Sequence, residues 1–447
     1  MCKLIAEYQN ERGIFAGLIL RPIFRLKGSG LKKYFDIFKG KDAKVLLENF
    51  VSLSALQLVG MLLPLITLPY LLRVLGFSNY GIVILAASLV AYFQSITDYS
   101  FKITATRDVA VFRNSPEKLN IIYSKVLIVK GMFLIFSFFI LTTIVLLYPP
   151  FYEERTVFFL TMPLLLGYGL FPEWFFQGIE KMKYISLLNI GIKLFFTICV
   201  FIFITEKEDY WIYPLLQSAG FIGAGLVGQY ILIKKYKIKF RWLHFKMVRN
   251  TIKDNFPIFI NQFLPNLYNN TNTLLLGIFT TTYLVGIYDA LKKIIDLCVV
   301  LLNVVSRVFF PFLNRRKDAF PKYRNLMLGL GLLLAALPIL GYPLVFWYLD
   351  MEYKNALLIL ILLSLSIIGY TAYDIFGLNY FIIRRKDKLV MKNTILSSLI
   401  GFVLAFPLIY FFSILGAAIN LMFARFMMGG GLTWNYFKFT KNENSHT

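Results

Sequence analysis

The chain has 447 residues, of which 58% are hydrophobic and only 16% charged, and a mean hydropathy of +0.66. Soluble domains carry roughly 25% charged residues. A large soluble domain is excluded, because apolar runs of about 20 residues recur along the whole length and leave no long polar stretch. The net charge of +23 does not point to nucleic acid, because the basic residues lie in short connections between apolar runs and no soluble platform presents them.

Residues 1–45 come first and differ from the rest. "GIFAGLILRPIFRLKGSGLKKYFDIFKG" is basic, and its apolar part is too short to span a bilayer and is interrupted by Arg21-Pro22. It reads either as an interfacial helix on the inner leaflet or as a dispensable extension ahead of the membrane domain. No small-residue cleavage pattern follows, so it is not a signal peptide.

About twelve apolar runs follow, predicting helices near 50–75, 80–101, 121–148, 157–178, 184–205, 210–233, 256–278, 283–312, 325–348, 356–383, 389–412 and 416–437. Each is long enough to cross a hydrocarbon core of ~30 Å. The prolines Pro64 and Pro69 are expected to interrupt the first span.

The connections alternate in charge. "KITATRDVAVFRNSPEK", "EKMK", "KKYKIKFRWLHFKMVRNTIK", "NRRKDAFPKYR" and "RRKDK" are basic, whereas "PPFYEER", "EKED" and "LDMEYK" are short and acidic. The basic set is expected to face the cytoplasm, which puts both termini there.

The longest internal connection, between the sixth and seventh spans, divides the chain. The expected units are an extension 1–45, a six-helix bundle 46–233, a basic linker 234–255, a second bundle 256–437 and a tail 438–447. "LRVLGFSNYGIVILAAS" and "LLLGIFTTTYLVGIYDA" occupy equivalent points of the two halves, as in a duplicated plan with a site between repeats. The three cysteines, Cys2, Cys199 and Cys298, have no metal or disulfide spacing, and His244 and His446 build no cluster. Neither a metal nor a cofactor is expected.

Charge inside the membrane is the main functional signal. In span eight, Asp289, Lys292, Lys293, Asp296, Asn303 and Arg307 fall within an arc of about 100°, opposite Leu291, Ile295, Val299 and Leu302. Lys130, Lys193, Lys292, Lys293 and Arg425 lie near mid-depth, and Asp98, Glu173 and Asp374 lie in the cytoplasmic third. A charge at mid-span costs about 2.5–3.5 kcal/mol, so five cations cost on the order of 10–15 kcal/mol, comparable with a whole fold's stability. Any one of them can snorkel or pair locally. Basic groups outnumber acids at this depth, however, and the excess suggests a wet cavity built for an anion.

Span seven adds amides. "NQFLPNLYNNTNT" places Asn261, Gln262, Asn266, Asn269, Asn270 and Asn272 in a helix that also carries Pro257 and Pro265. Amides both donate and accept, which suits hydroxyl-rich ligands; they equally suit bonds between helices.

"SLSALQLVGMLLPLITLPYLLRVLGFSNYGIV", "FQSITDYSFKITATRDVA", "PEWFFQGIEKMKY", "VGIYDALKKI" and "RVFFPFLNRR" together resemble the O-antigen flippases. These form the polysaccharide-transport branch of the multidrug/oligosaccharidyl-lipid/polysaccharide exporter superfamily. The resemblance covers roughly residues 46–437. It implies an all-α polytopic membrane protein of two six-helix bundles around a V-shaped, cationic central cavity. The implied cargo is an undecaprenyl-pyrophosphate-linked oligosaccharide, an O-antigen or capsule repeat unit. It would move from the inner to the outer leaflet of a bacterial inner membrane by ion- or proton-coupled alternating access. Other polysaccharide assembly proteins, a polymerase or a chain-length regulator, are the implied partners.

The family motifs point at Asp98, Arg107 and Glu173. Candidates for the pyrophosphate are Lys130, Lys193, Lys292, Lys293, Arg307 and Arg425; for the sugars, Asn261, Gln262, Asn266, Asn269, Tyr92 and Trp174. For coupling or counter-ion roles they are Asp98, Arg107, Glu173, Asp289, Asp296 and Asp374; Glu173 and Asp374 suit either binding of a coupling proton or cation or a counter-ion role to nearby arginines such as Arg384. The competing classes are a membrane enzyme of polysaccharide assembly, polymerase or acyltransferase, and a multidrug exporter of the same superfamily. No Walker A, HExxH or nucleophile elbow supports the first, and a basic cavity disfavours cationic drugs.

Overall fold

The computed structural model describes residues 41–444, apart from the side chains of 41–58, 61, 261, 265–269, 311 and 442–444. The expected N-terminal extension therefore lies almost wholly outside the described residues, as do Cys2 and His446.

The first helix, α1 (Lys41–Asp98), has 58 residues, about 87 Å if straight and far longer than a bilayer core. It is broken at Gly76 (φ 74°, ψ 166°), a left-handed conformation that glycine adopts without the penalty of a Cβ. The expectation that Pro64 and Pro69 interrupt this helix is corrected: both lie inside its first arm. A proline leaves the carbonyl four residues back without its helical donor. For Pro69 that carbonyl is Leu65 O, and Tyr348 OH supplies the missing bond. For Pro64 it is Gly60 O, and Lys193 Nζ lies so close to Gly60 that a Cβ there would be 2.5 Å away.

After α2 (Phe101–Phe112) comes α3 (Pro116–Leu147), whose opening proline sacrifices no helical hydrogen bond. A short α4 (Pro149–Glu153) leads to α5 (Arg155–Thr161), α6 (Pro163–Leu170) and α7 (Glu173–Gly178). These three together form one candidate membrane span, Arg155–Gly178, as expected at 157–178, and are interrupted because Pro163 and Pro172 lack the N–H that would continue the ladder. Next are α8 (Met182–Phe203), a 3₁₀ turn (Lys207–Trp211) and α9 (Ile212–Lys234). In that turn Asp209 accepts the backbone N–H groups of Thr205 and Glu206, each at 2.9 Å, which holds its carboxyl below the usual range.

The second part comprises α10 (Phe245–Phe279), α11 (Thr282–Arg315), α12 (Phe320–Leu340), α13 (Tyr342–Leu349), α14 (Ala356–Ala372) and α15 (Asp387–Asn444). Helix α14 continues as a π-helix over Tyr373–Ile382. The span expected at 325–348 is two helices, separated at Gly341. Helix α15 has 58 residues and is broken at Ser413 (φ 53°, ψ −131°). A Cβ on Gly416 would lie 1.9 Å from Leu408 O, whereas eight residues of straight helix separate atoms by about 12 Å. The chain therefore doubles back there.

Among the described residues, nine helical segments are long and apolar enough to cross a membrane, including the broken α1 and α15; the amide-rich α10 is not one of them. The protein is an all-helical, multi-pass membrane protein. The apolar face of α11 that was open to lipid or to neighbours, Leu291, Ile295, Val299 and Leu302, is buried against neighbours.

The two charge classes of connection segregate. Tyr210 OH donates to Glu154 Oε2 (2.9 Å), and Asn79 Nδ2 donates to Lys207 O (2.8 Å), joining the acidic connections to the turn at Gly76. Among the basic connections, Arg113 pairs with Glu180 (3.5 Å), Arg384 lies over the Phe320 ring, and Lys386 lies over Phe439.

Candidate functional site

A cavity of about 400 Å³ opens between the second arm of α1, the start of α2, α3, α6–α7 and α10. Its polar lining includes Gln94, Asp98, Lys130, Glu173, Gln262 and Asn270; Tyr168, Phe171, Trp174, Phe259 and Phe263 supply rings. Rings beside amides and paired charges are the usual lining for a hydroxyl-rich ligand, which offers apolar C–H faces and many donors. Of the sequence candidates, Asp98, Lys130, Glu173, Gln262 and Trp174 meet here. Gln94 and the rings of Tyr168, Phe259 and Phe263 were missed. Gln94 sits four residues before Asp98, a helical spacing that could have signalled it.

The cavity's charges are paired. Lys130 Nζ donates to Asp98 Oδ1 at 2.8 Å, and Lys102 Nζ lies 3.0 Å from Glu173 Oε1. Arg107 is exposed on α2 and pairs with its neighbour Asp108 (3.2 Å). Tyr92 OH shares a 2.5 Å hydrogen bond with Thr271 Oγ1, linking α1 to α10. The side chains of Asn261, Asn266 and Asn269 lie outside the described residues.

A second charged group lies on α11. Lys292 Nζ donates to Asp296 Oδ2 (2.8 Å), and Arg425 Nη2 from α15 donates to Asp296 Oδ1 (3.1 Å). One carboxylate thus serves two cations. Arg425 Nη1 also donates to Ser366 (3.0 Å), and its Nε is buried without an acceptor among the described residues. One turn away, Lys293 Nζ lies 3.0 Å from Asp289 Oδ2, and Tyr80 OH of α1 donates to the same oxygen at 2.7 Å. Asn303 accepts from Tyr370 OH (2.8 Å). Lys193 is half-buried on α8 and Arg307 is exposed; neither forms an ion pair among the described residues.

Asp374 opens the π-helix and is wholly buried. Its Oδ2 accepts from Tyr323 OH (2.9 Å) and Asn379 Nδ2 (3.2 Å), while Oδ1 is buried with no hydrogen-bond partner among the described residues. The π-helical widening brings Asn379, five residues on, back to the carboxyl. The expectation that Arg384 is its counter-ion is corrected: that guanidinium stacks on Tyr380, 3.7 Å from the ring centroid.

The protein is shut on the acidic-connection side. A Cβ on Gly81 of α1 would lie 1.8 Å from Thr282 O, and one on Gly286 of α11 would lie 2.2 Å from Phe77 O. Only glycine lets these backbones approach so closely. Tyr80, reaching Asp289 and also bonded to Lys293, pins the same seam. The cavity, by contrast, is built from the ends of α1, α6 and α7 that adjoin basic connections.

Solved structures share this fold. An inward-facing multidrug resistance MATE family transporter of the MOP superfamily superposes with a TM-score of 0.60 at 13% identity, over 89% of this chain and 100% of that one. The inward closed conformation of the lipid II flippase MurJ superposes with a TM-score of 0.59 at 14% identity, over 87% of each chain. In sequence, a candidate O-antigen transporter of Escherichia coli (strain K12) is 29% identical over 384 residues, 84% of this chain and 92% of that protein. The profile of the polysaccharide biosynthesis protein family matches residues 46–317. With more than half of its length matched, the chain belongs to the polysaccharide biosynthesis protein family.

Proposed function

We propose that this protein is a flippase for a lipid-linked oligosaccharide of the O-antigen or capsule repeat-unit class. Its cargo is carried on undecaprenyl pyrophosphate and moves from the inner to the outer leaflet of a bacterial inner membrane. The basic connections and both termini face the cytoplasm.

The observation that carries this reading is the charge surplus within the membrane. Among the described residues, Lys130, Lys193, Lys292, Lys293 and Arg425 are five cations, four of them partnered by the three carboxylates Asp98, Asp289 and Asp296, so these eight groups carry a net +2, or +1 when the buried Asp374 is counted as ionised. A pyrophosphate has a large hydration cost and enters lipid only where fixed donors replace water. The ring- and amide-lined cavity suits the sugars, and the polyprenyl tail stays in the bilayer. The name of the Escherichia coli relative supports transport over catalysis. A cationic drug would meet like charge in this interior, which disfavours the exporter reading.

The cycle alternates between the state closed at the Gly81–Gly286 seam and one open there. The units at 46–233 and 256–437 rock about the linker 234–255.

Replacing Lys292 and Lys293 together by alanine is expected to abolish surface polysaccharide in cells that depend on this protein, with membrane insertion intact. Normal polysaccharide in that variant would remove the cation argument.

Coupling is assigned to Asp374, a buried carboxyl whose hydrogen-bond donors are all neutral, the arrangement of a group that gains and loses a proton. Asp374→Asn keeps the shape but cannot titrate. Flipping in proteoliposomes is expected to lose its response to an imposed pH gradient while downhill exchange persists. Glu173→Gln, which only frees Lys102, is expected to keep the response. A gradient response retained by Asp374→Asn would return this residue to a structural role.

A further inference from the structure

Between α9 and α10 the chain reads Lys235-Tyr236-Lys237-Ile238-Lys239-Phe240-Arg241-Trp242, basic and apolar residues in strict alternation. Lys235 still closes α9 and Lys237 takes a left-handed φ of 53°, after which the chain runs without helix or turn to His244 and the period of two puts the two classes on opposite sides. The segment is held to the third helix by its backbone: Lys239 N–H donates to Asn120 Oδ1 and Arg241 N–H to Ser124 Oγ, both at 2.8 Å. The two acceptors are one helical turn apart, which matches the spacing of alternate N–H groups along an extended chain.

The apolar row changes character along its length. Tyr236 packs edge-on against Phe175, with ring centroids 5.5 Å apart, and Ile238 is buried. Phe240 and Trp242 contact each other at 5.2 Å and leave the protein surface; Trp242 is 87% exposed, and Phe245 at the start of α10 is 74% exposed. Rings of this size left in water forfeit the burial that stabilises them elsewhere, and an indole is suited to the headgroup level of a bilayer.

We propose that this segment is a lipid-binding strap. Phe240, Trp242 and Phe245 enter the headgroup–acyl boundary of the leaflet on the basic-connection side, and Lys237, Lys239 and Arg241 bind anionic phospholipid phosphates. Charge complementarity selects this occupant: a basic row beside an apolar row matches a phosphate layer beside acyl chains. A soluble acidic protein would satisfy the basic row but not account for rings beside it at bilayer level. Because Asn120 and Ser124 fix the strap to α3, it anchors the first part of the chain to the membrane surface and leaves the start of α10 as the pivot.

The test uses the full-length protein in lipid nanodiscs and the difference in tryptophan emission between wild type and Trp242→Phe, which isolates this ring from the other four tryptophans. In discs of phosphatidylcholine with phosphatidylglycerol, the difference spectrum is expected to be blue-shifted, quenched by brominated acyl chains and resistant to acrylamide. In pure phosphatidylcholine the bromolipid quenching is expected to weaken severalfold. Lys237→Gln, Lys239→Gln and Arg241→Gln together are expected to erase the difference between the two lipids. A water-like, acrylamide-quenched Trp242 in both discs would overturn the proposal and point to a protein partner. A triple variant that keeps the anionic preference would overturn the role of the basic row. Neither outcome depends on what the protein carries.

Discussion

Gly81→Val is expected to abolish transport while leaving expression and membrane insertion intact. The Cβ it adds would overlap Thr282 O and C, placed at 1.8 and 2.7 Å. These are backbone atoms of α11 and cannot rotate away. Overpacking a tight contact costs about 1–3 kcal/mol, a shift of roughly 5- to 150-fold in the balance between closed and open forms of the seam. The reciprocal contact of Gly286 with Phe77 O leaves no slack nearby. Spin labels at Asn79 and Tyr353, both on the acidic-connection side, are expected to move apart in the variant. Gly329→Val is the control, because a Cβ there meets nothing within 4 Å. Unchanged label spacing and full transport in Gly81→Val would show that this seam is not the gate.

Asp296→Asn is expected to tighten binding of pyrophosphate and to slow transport. In the wild type, Asp296 holds Lys292 and Arg425 together, so the group carries a net charge of +1, two cations less one carboxylate. The substitution raises this to +2 and leaves two cations without their shared acceptor. Breaking a buried pair costs about 3–5 kcal/mol. The loss here is smaller, because the Asp296 side chain is 38% exposed and partly screened. The variant is therefore expected to melt earlier, and inorganic pyrophosphate is expected to restore more of its stability than it adds to the wild type. Charge-assisted hydrogen bonds contribute about 1.5–3 kcal/mol each, so affinity should rise about tenfold or more. Slower release then lowers turnover. Equal stabilisation of both proteins by pyrophosphate would mean that Asp296 does not occupy the anion's place.

Some of the candidate site was legible in the sequence. Lys130 stands out as a charge in an apolar run, Gln262 as one of the amides of span seven, Asp98 and Glu173 as charges that the motif resemblance also marks, and Trp174 as an aromatic suited to sugars; all five line one cavity. The local pair of Asp289 with Lys293, four positions apart, was legible as well, but the long-range partners were not. Asp98 and Lys130 are 32 positions apart, Asp296 and Arg425 are 129 apart, and Tyr80 and Asp289 are 209 apart. No local pattern encodes such distances. The pairing of Lys292 with Asp296 was within reach, since it spans one helical turn.

The sequence by itself determined that this is a helical membrane protein with alternating charge on its connections. The bilayer imposes those features residue by residue: every buried peptide group must bond within its own segment, and every charge must avoid hydrocarbon or find a partner. The turns of the two long helices were legible as well, since the breaks at Gly76 and Ser413 fall between the spans expected at 50–75 and 80–101 and at 389–412 and 416–437. Only the tertiary structure decided that Pro64 and Pro69 leave their helix continuous, and which side is shut. Those outcomes rest on contacts between distant segments: Tyr348 satisfying the carbonyl freed by Pro69, and two glycines admitting facing backbones. A linear reading of composition and periodicity holds no information about either.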